Sequence, residues 1–255
     1  MTITSSGIKI QKYSPNLGAI ITGVDLSKEI NEDQYKDIHK AFLNNQVLFF
    51  QNQNEILPEV HLKLGKLFGE LHVHPAAPSM PGYPEIFEIH AHKNSKVANG
   101  EFWHSDVSCD IQPPLGTMLQ LHILPETGGD TMFSDMYSAY NELSNKYKNL
   151  LDGLIAIHES EHLYTGRYED RGINRDNIKT PVAKHPLIRT HPNTGKKAIY
   201  VNRTFTTGIE GMNKDESSSI LKFLFAHCEH VNFQIRYRWS KNDMAFWDNR
   251  CTMHR

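Results

Sequence analysis

The sequence predicts a mainly β protein with flanking helices, its core a double-stranded β-helix of jelly-roll type. Three observations predict this. From Glu85 onward short β-prone runs follow one another, helical periodicity is confined to a few stretches, and no repeat or long linker divides the 255 residues. One domain spanning residues 1–255 is the simplest organisation.

In chain order, Ile8–Lys12 and Ala19–Val24 read as the first strands, and a helix across about Asp33–Leu43 puts Tyr35, Ile38 and Phe42 on one face. Gln46–Gln51 is short, apolar and β-prone, a buried strand. A second helix follows Pro58, with Val60, Leu64, Leu67 and Leu71 at helical spacing until Gly69 disturbs its end. Strands are then expected at Ile86–His90, Phe102–Ser108, Gly116–Leu124, Leu154–Glu159, Lys184–Thr190, Lys197–Asn202, Phe233–Trp239 and Asp243–Trp247. Helices interrupt them at about Asp135–Leu143, Asn145–Leu151 and Glu216–Cys228. The polar, charged stretch Tyr164–Pro181 reads as a mobile loop.

Composition narrows the function. An apolar fraction of 39% and a charged fraction of 22% suit a soluble globular protein without a membrane span, and the N-terminus shows no export or transit pattern, so a cytoplasmic location is expected. A net charge of -2 supplies no positive field for nucleic acid. Cys109, Cys228 and Cys251 have neither CxxC spacing nor an even count, so reduced, partly buried thiols are expected. The 15 histidines are the unusual feature, and only their positions can give them meaning.

His104 and Asp106 lie two apart in a β-prone stretch, where both side chains leave one face of a strand, with Trp103 and Val107 packing on the other. Chance alone yields roughly 0.8 such His-x-Asp matches in a chain of this composition. His72-Val-His74, His90-Ala-His92 and His227-Cys-Glu229 compete with it, but each lacks an evident third ligand or suitable spacing. The combination with His254, at the end of Trp247-Asp-Asn-Arg-Cys-Thr-Met-His254, is what raises the case. Two imidazoles and a carboxylate on one face of an octahedral ion leave three positions open, the arrangement of non-haem Fe(II) oxygenases.

Several segments in order resemble the taurine dioxygenase family, which includes aryloxyacetate dioxygenases and alkylsulfatase dioxygenases. They are Gly18–Asp25, Phe68–Pro75, Trp103-His-Ser-Asp106, Pro113–Gly116, Gly128-Gly-Asp-Thr131, His185–Pro192, Tyr200-Val-Asn202 and Trp247–Arg250. The resemblance implies a jelly-roll core and an Fe(II)- and 2-oxoglutarate-dependent dioxygenase. It would use O2 to hydroxylate a small organic anion, such as a sulfonate, alkyl sulfate or aryloxy acid, and release succinate and CO2. By position it implies His104, Asp106 and His254 as metal ligands, Thr131 as a hydroxyl holding the distal carboxylate of 2-oxoglutarate, and His74 as a substrate contact. A homo-oligomer acting on a small-molecule organic anion is expected, and the net charge and apolar content given above argue against nucleic acid or a membrane as partner.

The family also has an arginine about ten residues beyond the second metal histidine as a bidentate carboxylate partner. The sequence ends at Arg255, which follows His254 directly and points to the other strand face; a missing C-terminal segment is therefore expected. Ala77 and Gly100 stand where the family places a tyrosine and an asparagine, which argues against taurine itself as substrate. His158 and His162 are open to two readings, replacement substrate anchors or surface histidines. Two other classes compete with the dioxygenase: a cupin-like metal enzyme that does not use 2-oxoglutarate, and a non-catalytic metal-binding protein.

Overall fold

The computed structural model describes residues 1–91, 100–169 and 178–255. The N-terminal third contains β1 (Thr2–Ile3), β2 (Lys9–Lys12), β3 (Ala19–Thr22), α1 (Glu32–Asn45), β4 (Val47–Phe50), α2 (Pro58–Lys66), β5 (Ser79–Met80) and β6 (Tyr83–Phe87). After β7 (Gly116–Gln120) and β8 (Thr131–Asp135) come α3 (Met136–Glu142), α4 (Asn145–Leu151), β9 (Ile155–Glu159) and α5 (Glu161–Tyr164). The rest is β10 (Val182–Pro186), β11 (Ile188–Thr190), β12 (Lys197–Ile199), β13 (Thr206–Ile209), α6 (Lys214–Cys228), β14 (Gln234–Tyr237), β15 (Met244–Asp248) and β16 (Thr252–His254).

The largest sheet has the order β1-β2-β3-β4-β15-β7, and a three-stranded sheet, β14-β8-β16, faces it. The period of two explains how they pack. In β4, Leu48 and Phe50 point to one core with Phe42, Ile38 and Phe246, whereas Val47 and Phe49 point to a second core with Phe133, Ile235 and Tyr237. β15 divides in the same way, Met244 and Phe246 against Ala245 and Trp247. A strand with both faces buried must be apolar throughout, which is why Val-Leu-Phe-Phe has no polar residue.

Helix α1 covers the outer face of the large sheet, begun by a capping box between Asn31 and Gln34. Its Phe42 ring stacks on Phe246 with centroids 4.0 Å apart. On the far side, α3 and α6 pack with Leu187, Ile199 and Ile209 in a third core. Smaller sheets, β10-β9-β13, β11-β12 and β5-β6, complete the fold. The molecule is thus mostly β with several helices, and among the described residues the strands form separate sheets and no closed barrel.

Three expectations need correction. Phe102–Ser108 is not a strand: only His104 pairs, in an isolated bridge with His254, and Val107 then adopts φ 47°, which turns the chain away. Lys184–Thr190 is two strands, because Leu187 turns inward between them and hydrogen-bonds to both Leu154 and Tyr200. The start of Tyr164–Pro181 is packed, with Tyr164 ending α5 and both Tyr164 and Tyr168 buried; residues 170–177 of that segment lie outside the described residues.

Candidate metal centre

His104 and His254 are far apart in sequence and are brought together by reciprocal backbone hydrogen bonds, His104 N–H to His254 O at 3.0 Å and the reverse at 2.8 Å. β16 is pinned to β8 at its other edge, so His254 sits on a rigid sheet. Asp106 reaches the same point from the turn after His104. Its Oδ1 lies 3.5 Å from His104 Nε2 and 3.6 Å from His254 Nε2. The convergence expected of a strand face is therefore reached by a bridge and a turn.

Burial and mutual charge set the protonation of the three groups. His104 Nδ1–H donates to the Phe102 carbonyl at 2.7 Å, which leaves Nε2 as the nitrogen that faces Asp106 and would be offered to a metal. Burial lowers the His254 pKa to about 3, a neutral imidazole at pH 7. Burial also acts on His104, but the hydrogen bond and charge of Asp106 outweigh it and raise its pKa. Burial would raise the Asp106 pKa; the charges of His254 and His104 and the Thr117 hydroxyl hold it well below the usual carboxylate range. His254 Nδ1 is buried without a hydrogen-bond partner among the described residues.

Donors bound at roughly 2.1 Å to an ion and at right angles stand roughly 3 Å apart, so small side-chain movements would close this set around a metal. The three side chains are 10–22% exposed, recessed but reachable by a small ligand. A single carboxylate between two imidazoles, with no thiolate, fits a metal of intermediate softness such as Fe(II).

The other described group with three possible ligands, His191, Asp248 and Cys251, has its atoms already engaged. His191 Nδ1 accepts the backbone N–H groups of Asn193 and Thr194, while its Nε2–H donates to Asp248 at 3.0 Å. Arg250 donates to both Asp248 oxygens at 2.8 and 2.7 Å, and burial keeps the Cys251 thiol protonated. This cluster braces the turn between β15 and β16.

Residues 9–255 match the model of the "Taurine catabolism dioxygenase TauD, TfdA family". The chain belongs to the TauD/TfdA family. A Saccharomyces cerevisiae relative named alpha-ketoglutarate-dependent sulfonate dioxygenase is 32% identical over 97% of this chain and 62% of its own length. An Acinetobacter baylyi alkylsulfatase is 30% identical over 97% of this chain and 79% of its own. A Schizosaccharomyces pombe relative is 32% identical, and this chain spans 64% of its length. The crystal structure of a taurine dioxygenase from Burkholderia xenovorans superposes with a TM-score of 0.80 at 30% identity, covering 97% of this chain and 81% of that one.

Within this TauD/TfdA chain, Thr131 opens β8 two residues before Phe133, on the same strand face, and Phe133 packs 6.1 Å from the His254 ring. Trp239 Nε1–H donates to Thr131 Oγ1 at 2.9 Å, which leaves the hydroxyl proton free for an acceptor. His74 Nδ1 accepts the N–H groups of Ala76 and Ala77 at 3.1 and 2.9 Å, so its proton is on Nε2. Its ring lies against Phe87 and Tyr164. Burial above all lowers the His74 pKa to about 4, against the pull of Asp106.

Among the described residues, the members of the competing pairs hold other partners. His72 donates to Asp110, His227 to the Ala139 carbonyl, and Glu229 accepts from Arg203. His92 lies outside the described residues, so His90-Ala-His92 is undescribed as a pair. His158 is neither a surface residue nor a substrate anchor: it is wholly buried, with Nδ1 3.0 Å from Ser108 Oγ. His162 Nε2–H donates to the Thr204 carbonyl. All three cysteines are free, and they are fully rather than partly buried.

Sequence reading missed the groups around Asp106. Thr117, Trp247 and Asn249 surround it in the structure, although Trp247 and Asn249 lie in a segment that the sequence singles out. Their partnership depends on pairing between β7 and β15, and no local pattern encodes it.

Proposed function

We propose that the protein is an Fe(II)- and 2-oxoglutarate-dependent dioxygenase that hydroxylates a small organic anion, with His104, Asp106 and His254 as the metal ligands. The observation that supports this most is the approach of two imidazole Nε2 atoms to one carboxylate oxygen, at 3.5 and 3.6 Å. When bound, Fe(II) would bring 2-oxoglutarate and O2 together at its open positions and supply the oxidising power, the co-substrate leaving as succinate and CO2.

The chain's own residues bind, orient and shield. The Phe102 carbonyl fixes the His104 ring, whose proton facing Asp106 would leave as metal binds, and burial keeps His254 neutral, so His254 needs to lose no proton before binding metal. The Thr131 hydroxyl donates to the distal carboxylate of 2-oxoglutarate. His74, neutral and carrying its proton on Nε2, donates to the substrate anion, and Phe87 and Tyr164 supply an apolar wall beside it. Orientation of the reacting C–H bond is what such a site contributes to the rate. The two facing sheets around Phe49 and Phe133 support a double-stranded β-helix core for this reading.

A sulfonate, alkyl sulfate or aryloxy acid is the substrate class, as the names of the relatives suggest. The test is succinate release by the Fe(II)-loaded protein against a panel of these anions under air. Release stimulated by one class and abolished by Asp106→Ala supports the reading. A panel without any stimulation, in a protein that binds 2-oxoglutarate, removes the substrate class.

A further inference from the structure

Asp106 uses its two oxygens differently. Oδ1 faces both imidazoles, whereas Oδ2 accepts the Thr117 hydroxyl at 2.6 Å and the Trp247 Nε1–H at 3.2 Å. A threonine hydroxyl has one proton, and something must aim it. Asn249 Nδ2 donates into Thr117 Oγ1 at 2.9 Å, so the hydroxyl proton is left for Asp106. The orientation of Asn249 is fixed in turn, because its Oδ1 accepts from Trp247 Nε1 at 3.0 Å and from Asp106 N at 3.3 Å. An amide flipped the other way would bring donor against donor at both places. The antiparallel register sets Thr117 opposite Trp247, so this relay is built into the β7–β15 pairing.

We propose that Thr117 and Asn249 are positioning residues that hold Asp106 as a one-oxygen metal ligand. The inference rests on the metal reading given above. Two imidazoles and one carboxylate oxygen leave three of six octahedral positions, two for a chelating 2-oxo acid and one for O2. A carboxylate that swung round to bind through both oxygens would take one of those three. With Oδ2 held by the short bond from Thr117 and the bond that Trp247 divides between Asp106 and Asn249, that swing requires a charge-assisted hydrogen bond to break.

The test is anaerobic titration of the full chain with Co(II) as probe, reading the dissociation constant and the visible d–d spectrum without turnover. Thr117→Val removes the hydroxyl and keeps the β-branched shape. It is expected to weaken Co(II) binding about 10- to 100-fold and to change the spectrum, as loss of an outer ligand contact does. Thr117→Ser restores the hydroxyl and should restore both readouts. Asn249→Asp presents an acceptor in place of the amide donor, draws the Thr117 proton away from Asp106, and should reproduce the Thr117→Val spectrum with Thr117 intact. A role in folding alone would lower stability and leave the spectrum of the loaded protein unchanged.

Thr117→Val with the wild-type spectrum and affinity overturns the inference, and so does a change that Thr117→Ser fails to reverse. Wild-type protein that binds no Co(II), or binds it unchanged after Asp106→Ala, overturns the metal reading and the inference with it.

Discussion

Replacing His158 by Gln should flatten the acid limb of the stability profile. His158 is wholly buried, its ring 5.3 Å from His185 and 5.7 Å from Tyr200, and its nitrogens are 3.0 Å from Ser108 Oγ and 3.5 Å from Thr206 Oγ1. Burial, reinforced by the charge of His185, lowers its pKa from 6.5 to about 3. Below pH 6.5 the unfolded chain takes up a proton that the folded protein refuses until near pH 3. The stability associated with His158 is therefore complete above pH 6.5 and is lost as pH falls through that window. One proton corresponds to about 1.4 kcal/mol per pH unit, so about 2 kcal/mol is lost between pH 6.5 and 5.0. His185, also depressed first by burial, adds in the same direction. Urea unfolding from pH 7.5 to 5.0, with chelator present in every sample, gives the slopes for wild type and His158→Gln. The variant's slope should be smaller by about one proton, whatever constant penalty its packing imposes. Parallel curves would refute the reasoning.

Trp239→Phe removes the donor to Thr131 and should raise the KM for 2-oxoglutarate about fivefold with little change in kcat, the effect of one neutral hydrogen bond of about 1 kcal/mol; steady-state kinetics at saturating anion checks it. His74→Ala should raise the KM for the organic anion roughly 10-fold or more while the KM for 2-oxoglutarate stays unchanged, as expected when a hydrogen bond to a charged group is lost. With a His74 pKa of about 4, the wild-type anion KM should show no step from this residue between pH 5.5 and 8. Gly116→Ala would put a Cβ 2.6 Å from the Trp247 carbonyl oxygen, on the backbone of the paired strand, and should cost about 1–3 kcal/mol in urea unfolding.

The elements legible in the sequence were those whose residues see only their neighbours. Tyr35, Ile38 and Phe42 mark one face of α1, and the apolar run of β4 marks a strand buried on both sides. Pairing order was not legible. β15 lies between β4 and β7, about 200 and 130 residues away in sequence, and no local pattern records which strands meet. β8 and β13 were missed as strands because polar residues or a glycine interrupt their apolar pattern, Thr131 and Ser134 in one and Thr206, Thr207 and Gly208 in the other.

At the site, the three candidate ligands were named from ordered motifs, and the structure brings them together. The reason given for His104 and Asp106 was nonetheless a strand, and a bridge with a left-handed Val107 takes its place. His158 was misread because burial is a tertiary property: its partner Ser108 is 50 residues away, and nothing around Ile157 signals that contact. Thr117 and Asn249 were invisible for the same reason, since their hydrogen bond spans 132 residues.

The most direct test of the Fe(II) and 2-oxoglutarate assignment is anaerobic addition of both to the wild-type protein, followed by its visible absorption. A weak charge-transfer band of the chelated 2-oxo acid should develop with one Fe(II) per chain and be absent from the His104→Ala, Asp106→Ala and His254→Ala proteins. No band in the wild type, or a band that persists without Asp106, would contradict the account.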